Sequence, residues 1–183
     1  ARLTPYMCAI AGIYRTDGSR PEQNELRRML AALHHRGPDG SGVLSRDAIG
    51  IAMTRLAIID VAGGQQPIYN EAETIAVVCN GEIYNHAELR GELERRGHRF
   101  RTHSDVEVIL HLYEEVGEAC FERLNGMFGV AIADFTNNQL VLARDPFGQK
   151  PLYLWHGPYG WVFASELKAL TRAQGFSKRV NSD

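Results

Sequence analysis

The last third of the chain holds four short runs that read as strands, Met127–Asp134, Leu140–Arg144, Pro151–Trp155 and Trp161–Ala164. They are split by Thr-Asn-Asn, Asp-Pro-Phe-Gly and His-Gly-Pro-Tyr-Gly turns. Turns that tight leave no room for crossover helices, so consecutive strands are expected to pair antiparallel, as a meander. Upstream, strands and helices alternate. Cys8–Tyr14 reads as a buried strand ended by Thr16-Asp17-Gly18-Ser19. Leu26, Met29, Leu30 and Leu33 then recur at helical spacing, with Pro21 at the helix start and Gly37-Pro38 beyond its end. Ile49, Ile51 and Met53 alternate as in a half-buried strand, and Ile75–Cys79 reads as a fully buried one. Asn85 with Glu88, and Ser104 with Glu107, carry the capping-box signature. Gly97 closes the first of these helices, while Val106, Ile109, Leu110 and Tyr113 give the second an apolar face. The pattern predicts one domain of sheets packed together with helices outside.

Composition narrows the function. A chain of 183 residues, 44% hydrophobic and 23% charged, suits a soluble globular domain with a sizeable core. A net charge of −2 gives no electrostatic reason to expect nucleic acid or an anionic membrane as partner. No apolar run approaches 18 residues, and the first seven residues lack the apolar core of a secretory signal. Cys8, Cys79 and Cys120 are odd in number and show no CxxC spacing. That argues against a disulfide framework or zinc site and for a reducing, cytoplasmic setting.

Several residues are candidates for chemistry. Cys8 directly follows Met7 at the head of a strand-like run. A lone cysteine there is usually a buried small hydrophobe. Exposed as a first residue, it would combine a thiol with an α-amine of reference pKa about 7.7–8.0, a base on the nucleophile's own residue. His34–Gly42 is a glycine-rich turn that reads as helix termination, since no strand precedes it and no Gly-Lys-Ser/Thr follows. Arg55 ends a strand, either as a surface ion pair or as a bidentate grip on a substrate carboxylate. Asn80-Gly81 sits where a buried strand is expected to break into a turn, and it could also supply two donors to one oxyanion. Asp105 could complement a helix dipole or bind a substrate ammonium. A nucleophile with oxyanion donors suits acyl transfer, and an arginine with a carboxylate suits the two ends of a free amino acid. Glutamine satisfies both.

Six motifs carry a family resemblance in order: Met-Cys-x-Ile-x-Gly, His-Arg-Gly-Pro-Asp, Arg-Leu-x-Ile-x-Asp, Asn-Gly-Glu-Ile-Tyr-Asn, Ser-Asp-x-Glu-Val-Ile and Arg-Asp-Pro-Phe-Gly-x-Lys-Pro-Leu-Tyr. Over roughly residues 7–175 the chain resembles the glutaminase domain of glutamine-hydrolysing asparagine synthetases, which are N-terminal-nucleophile amidotransferases. The resemblance implies an α+β fold, a four-layer α/β/β/α sandwich of two antiparallel sheets. It implies Cys8 as nucleophile with its α-amine as base, Asn80 and Gly81 as the oxyanion hole, and Arg55 on the glutamine carboxylate. It further implies Glu82 and Asp105 on the amino group, with Leu56, Ile58 and Ile59 lining the pocket through their backbone. L-Glutamine would be hydrolysed through a glutamyl thioester, and the ammonia passed to a synthetase domain in cis or trans. No cofactor is expected in this domain; ATP and magnesium belong to the synthetase domain, whose Ser-Gly-Gly-x-Asp-Ser loop does not occur in the sequence. A homodimer is a further expectation.

The chain departs from the family at its start, because six residues precede Met7. Residues 1–7 are read as an extension (a tag, a mis-assigned start or a propeptide) and 8–183 as the amidotransferase domain. With Cys8 in an internal amide there is no amine base. Two other readings stand beside the first: a glutaminase feeding another acceptor, as in glucosamine-phosphate synthases or amidophosphoribosyltransferases, and a non-enzymatic domain packed against a synthetase, as in β-lactam-forming relatives. The Arg144–Tyr153 motif favours the asparagine synthetase branch.

Overall fold

The computed structural model describes residues 7–57, 60 and 63–178. Among these residues, nine strands form two antiparallel sheets. The first sheet has the order β2 (Gly40–Arg46), β3 (Ile49–Arg55), β1 (Ala9–Arg15), β9 (Gly160–Ala164) and β8 (Tyr153–Gly157). The second has the order β4 (Ile68–Tyr69), β5 (Ile75–Ile83), β6 (Gly126–Asp134) and β7 (Gln139–Arg144). Helix α1 (Gln23–Leu33) and the short α4 (Leu167–Leu170) accompany the first sheet; α2 (His86–Arg95), α3 (Glu107–Val116) and a 3-10 turn over Gly117–Arg123 accompany the second.

Side-chain alternation along the strands sorts the core into layers. From β1, Ala9, Ala11 and Ile13 pack outward with Leu26, Met29 and Leu33 of α1, while Ile10 joins Ile49, Ile51, Met53 and Phe163 between the sheets. From the second sheet, Ala76, Val78, Ala131 and Ala133 face that same inter-sheet layer. Val77, Cys79, Val130 and Ile132 face Ile109, Leu110 and Leu112 of α3. This is the expected four-layer sandwich. Gly12 leaves room for its cross-strand partner within the first sheet: a Cβ there would lie 2.3 Å from the ring of Phe163 on β9, which is fully buried. No helix among the described residues is long and apolar enough to cross a membrane.

Four expectations need correction. Every residue of β3 is buried, not alternate ones, because one of its faces meets α1 and the other meets the second sheet. The expected meander is two hairpins, β6–β7 and β8–β9, at the edges of different sheets. The Asp145-Pro-Phe-Gly turn is therefore a crossing between sheets. The Asp145 carboxylate organises it by accepting the backbone N–H groups of Phe128, Phe147, Gln149 and Lys150. Strand β5 does not break at Asn80 but pairs with β6 as far as Ile83, with Asn80 opposite Gly129 and Gly81 opposite Phe128. Neither capping box forms. Asn85 instead ties α2 to Arg123 and Asn125, and Glu107 reaches back to the N–H groups of Arg101 and Thr102. Gly97 does close α2, with a positive φ of 102°.

Candidate active site

The strand registers bring the candidates together. Ala9 pairs with Thr54, so one step further along these antiparallel strands sets Cys8 beside Arg55 and Leu56. Cys8 packs against the inter-sheet layer, on the same side of β1 as Ile10. On β5, Asn80 follows Ala76 and Val78 at the two-residue period that points into that layer. The thiol and the amide thus stand where the gap between the sheets opens. One pocket there is lined by Cys8, Arg55, Leu56, Asn80, Gly81, Glu82 and Asp105, together with Met7, Gln66 and Lys150. Of the predicted site residues, only Ile58 and Ile59 lie outside the described residues, as do residues 1–6 of the extension.

Cys8 Sγ donates to the Leu56 carbonyl at 3.6 Å and accepts from Leu56 N at 3.4 Å. Burial pushes the thiol above its ordinary value, against the lowering effects of the Leu56 backbone and the Arg55 charge. Cys8 is therefore protonated at neutral pH and needs a base to become a nucleophile. Burial also pushes Cys79 well up and Cys120 up to about 12, and both sit in the layer beneath α3. Cys79 also borders the pocket, but its side chain is buried, whereas Cys8 is half-buried.

Asn80 is 1% exposed, and its Nδ2 has no hydrogen-bond partner among the described residues. A buried amide N–H₂ left unpaired costs about 1–3 kcal/mol, so its retention on a pocket wall points to an acceptor supplied by a ligand. Gly81 has a packing reason as well: a Cβ would lie 2.0 Å from the Met127 carbonyl oxygen on β6.

Arg55 is 4% exposed, which excludes the surface ion pair. Its Nη2 donates to the Asp60 carbonyl at 2.5 Å, and a Cβ on Gly64 would come within 2.8 Å of that nitrogen. The Asp60 carboxylate in turn accepts from Gly63 N at 3.0 Å and His103 N at 2.8 Å. Asp105 is 4% exposed, and its Oδ2 accepts from Ile83 N at 2.8 Å, joining the approach to α3 to the end of β5. This contact, rather than a helix dipole alone, holds the carboxylate on the pocket wall.

Three contributors were not anticipated. Arg36, in the turn read as helix termination, donates from Nε to the Cys8 carbonyl at 3.2 Å and from Nη1 to Glu166 at 3.1 Å. Gln66 Oε1 accepts from Cys79 N at 2.7 Å beside Asn80. The buried Lys150 donates from Nζ to Met7 Sδ at 3.1 Å. Arg36 and Lys150 belong to recognisable motifs, His-Arg-Gly-Pro-Asp and Arg-Asp-Pro-Phe-Gly-x-Lys, but nothing local to either links it to Cys8. Gln66 carries no signal at all.

Two antiparallel sheets between helices, with a cysteine at the head of the first inner strand, define an amidotransferase-type sandwich. A family model described as a glutamine amidotransferase domain matches residues 7–183, and the chain belongs to that family. It is 46% identical over 167 residues to "Asparagine synthetase [glutamine-hydrolyzing] 3" of Arabidopsis thaliana, covering 90% of this chain and 28% of that protein. It is 48% identical over 166 residues to "Asparagine synthetase [glutamine-hydrolyzing]" of Sandersonia aurantiaca, covering 90% of this chain and 31% of the relative. The chain thus spans under a third of these relatives. Among solved structures, the glutamine phosphoribosylpyrophosphate amidotransferase of B. subtilis superposes with a TM-score of 0.72 at 23% identity, over 89% of this chain and 43% of that one. The allosteric regulatory enzyme of purine biosynthesis superposes with a TM-score of 0.75 at 24% identity, over 90% and 43% respectively. These two likenesses establish the fold.

Proposed function

We propose that this domain hydrolyses L-glutamine to glutamate and ammonia through a thioester on Cys8. One observation carries the reading: the Asn80 amide is buried, has no partner among the described residues, and shares a pocket with the Cys8 thiol. It is a donor whose acceptor a bound substrate would bring. In the proposed reaction, residues 1–7 are an extension whose removal makes Cys8 the first residue. Its α-amine, with a pKa of about 7.7–8.0, then takes the thiol proton. Sγ attacks the side-chain amide carbon of glutamine as the carbonyl π pair moves onto oxygen. Asn80 Nδ2 and the Gly81 N–H donate to that oxyanion. Its collapse breaks the C–N bond, and ammonia leaves with the proton held by the amine. Water then hydrolyses the thioester, releasing glutamate and restoring the thiol.

Arg55 would grip the substrate carboxylate, with Glu82 and Asp105 on the ammonium and the Leu56–Ile59 backbone along the side chain. No cofactor enters these steps. The names of the relatives point to asparagine formation as the use of the ammonia, with ATP and magnesium needed only by a synthetase domain in cis or trans. A free catalytic thiol suits a reducing compartment such as the cytoplasm. The internal amide at Cys8 favours a second reading for the uncleaved chain, a non-hydrolytic domain that packs against a synthetase. The test compares glutamate release by the chain beginning at Cys8 with that by the chain beginning at Ala1. The shorter chain should be active and the longer one nearly inert. Equal rates would remove the α-amine from the mechanism, and no activity in either would support the non-hydrolytic reading.

A further inference from the structure

Away from the pocket, the turn after α2 and the middle of α3 bring His98, His111 and Glu114 together. The Nδ1 atoms of His98 and His111 lie 3.6 and 2.8 Å from one oxygen, Glu114 Oε2. The ligand atoms of the three residues all lie within 4.8 Å of one another. His111 and Glu114 are one turn apart on α3 and so share a face. A tetrahedral ion with bonds of about 2.0–2.2 Å holds its ligands about 3.3 Å apart, so small side-chain shifts close this cluster around one ion.

Each ligand is braced from behind. His98 Nε2 lies 2.8 Å from Glu115 Oε1, and His111 Nε2 faces Glu107 Oε1 at 3.7 Å. Glu114 Oε1 accepts from Asn70 Nδ2 at 2.9 Å. Imidazoles whose far nitrogens face carboxylates, and a carboxylate held by a donor, form the outer shell that orients metal ligands. His111 is 1% exposed, and its Nε2 makes no hydrogen bond among the described residues. The Phe100 ring walls it at 4.6 Å between centroids. The side chains of His98 and Glu114 keep 16% and 22% exposure, which leaves a way in from solvent.

We propose that His98 Nδ1, His111 Nδ1 and Glu114 Oε2 form a binding site for a borderline divalent transition ion, Zn²⁺ in the first instance, with water as the fourth ligand. Two imidazoles and one carboxylate suit zinc better than magnesium or calcium, which take oxygen ligands. The ion would staple the connection between α2 and α3 onto α3 itself. That connection ends at Ser104-Asp105 on the pocket wall, so the metal would brace the Asp105 carboxylate without joining the chemistry.

The test is calorimetric titration of the chelator-treated full chain with ZnCl₂, in a Cys8→Ser background that removes the accessible thiol. Visible absorption on Co²⁺ addition serves as a second readout. We expect one equivalent of zinc bound and an intense four-coordinate cobalt spectrum. His98→Ala, at a partly exposed position, should lose about 100-fold or more in affinity, and Glu115→Gln about 10-fold through the outer shell. Circular dichroism checks that both variants are folded. The absence of stoichiometric zinc binding, or equal binding by folded His98→Ala, would overturn the proposal and leave the cluster as hydrogen bonds and ion pairs alone.

Discussion

The Arg36 guanidinium donates to the Cys8 carbonyl oxygen at 3.2 Å, across 28 residues of sequence. The contact is reciprocated next door, where Met7 N donates to the Arg36 carbonyl at 2.9 Å. With its other arm on Glu166, Arg36 fixes the main chain of the proposed nucleophile to the segment that opens α4. Arg36→Lys keeps the charge but cannot reach both acceptors, and charge-assisted hydrogen bonds of this kind contribute about 1.5–3 kcal/mol each. In the chain beginning at Cys8, turnover should fall about 10-fold or more, with a smaller change in KM for glutamine. Unaltered turnover together with a lowered Tm would show that Arg36 only ties elements together.

Arg55→Lys tests recognition. A point-charge ammonium cannot reproduce a two-pronged grip on a carboxylate, and it also loses the geometry of the contact with the Asp60 carbonyl. KM for glutamine should rise about 10-fold or more, equivalent to about 1.4 kcal/mol, while turnover at saturation changes less. An unchanged KM would remove Arg55 from the substrate.

Asn80 separates the oxyanion role from a packing role. Asn80→Ala removes the donor, and Asn80→Asp keeps the shape but sets an acceptor where negative charge develops. Both should lose about 100-fold or more in turnover, with KM little changed in the alanine variant. Steady-state glutamate release from variants of matched Tm makes the measurement. Near-normal turnover for Asn80→Asp would rule the assignment out.

The Cys8 thiol in the full chain should alkylate as a buried thiol does. Its pKa lies above the ordinary value, so the iodoacetamide rate should still be climbing at pH values where a free cysteine, with a pKa of about 8.5, has levelled off. A plateau near or below pH 8.5 would mean that a cation or base acts on Cys8 even in the uncleaved chain.

Phe163→Ala tests the layer between the sheets. The ring is fully buried over Gly12 and meets residues from both sheets. Its loss should cost about 3–5 kcal/mol, read as a large fall in the denaturation midpoint. A cost below about 1 kcal/mol would mean that the layer collapses to fill the space.

Much of this was legible in the chain because it rests on local periodicity. Buried apolar runs at Cys8–Tyr14 and Ile75–Cys79, helical spacing at Leu26–Leu33 and the turns after residue 134 sufficed for sheets packed together with helices outside, and the family resemblance implied that there are two antiparallel ones. Cys8, Arg55, Asn80, Gly81, Glu82 and Asp105 could be named because their types in ordered motifs suit one chemistry, and all six line one pocket. What the chain alone could not reveal depends on long-range register and packing. Whether β7 and β8 pair with each other or lie in different sheets is settled by which sheet edge each finds, not by the turn between them. The full burial of β3 needs both a helix and a second sheet against it. The hold of Arg36 on Cys8, and the meeting of His98 with His111, join residues far apart in sequence, whose separation carries no periodic signal. Local pattern determined which elements form and which residues are candidates for chemistry; tertiary packing decided which of them meet, because only the folded chain brings those side chains within bonding distance.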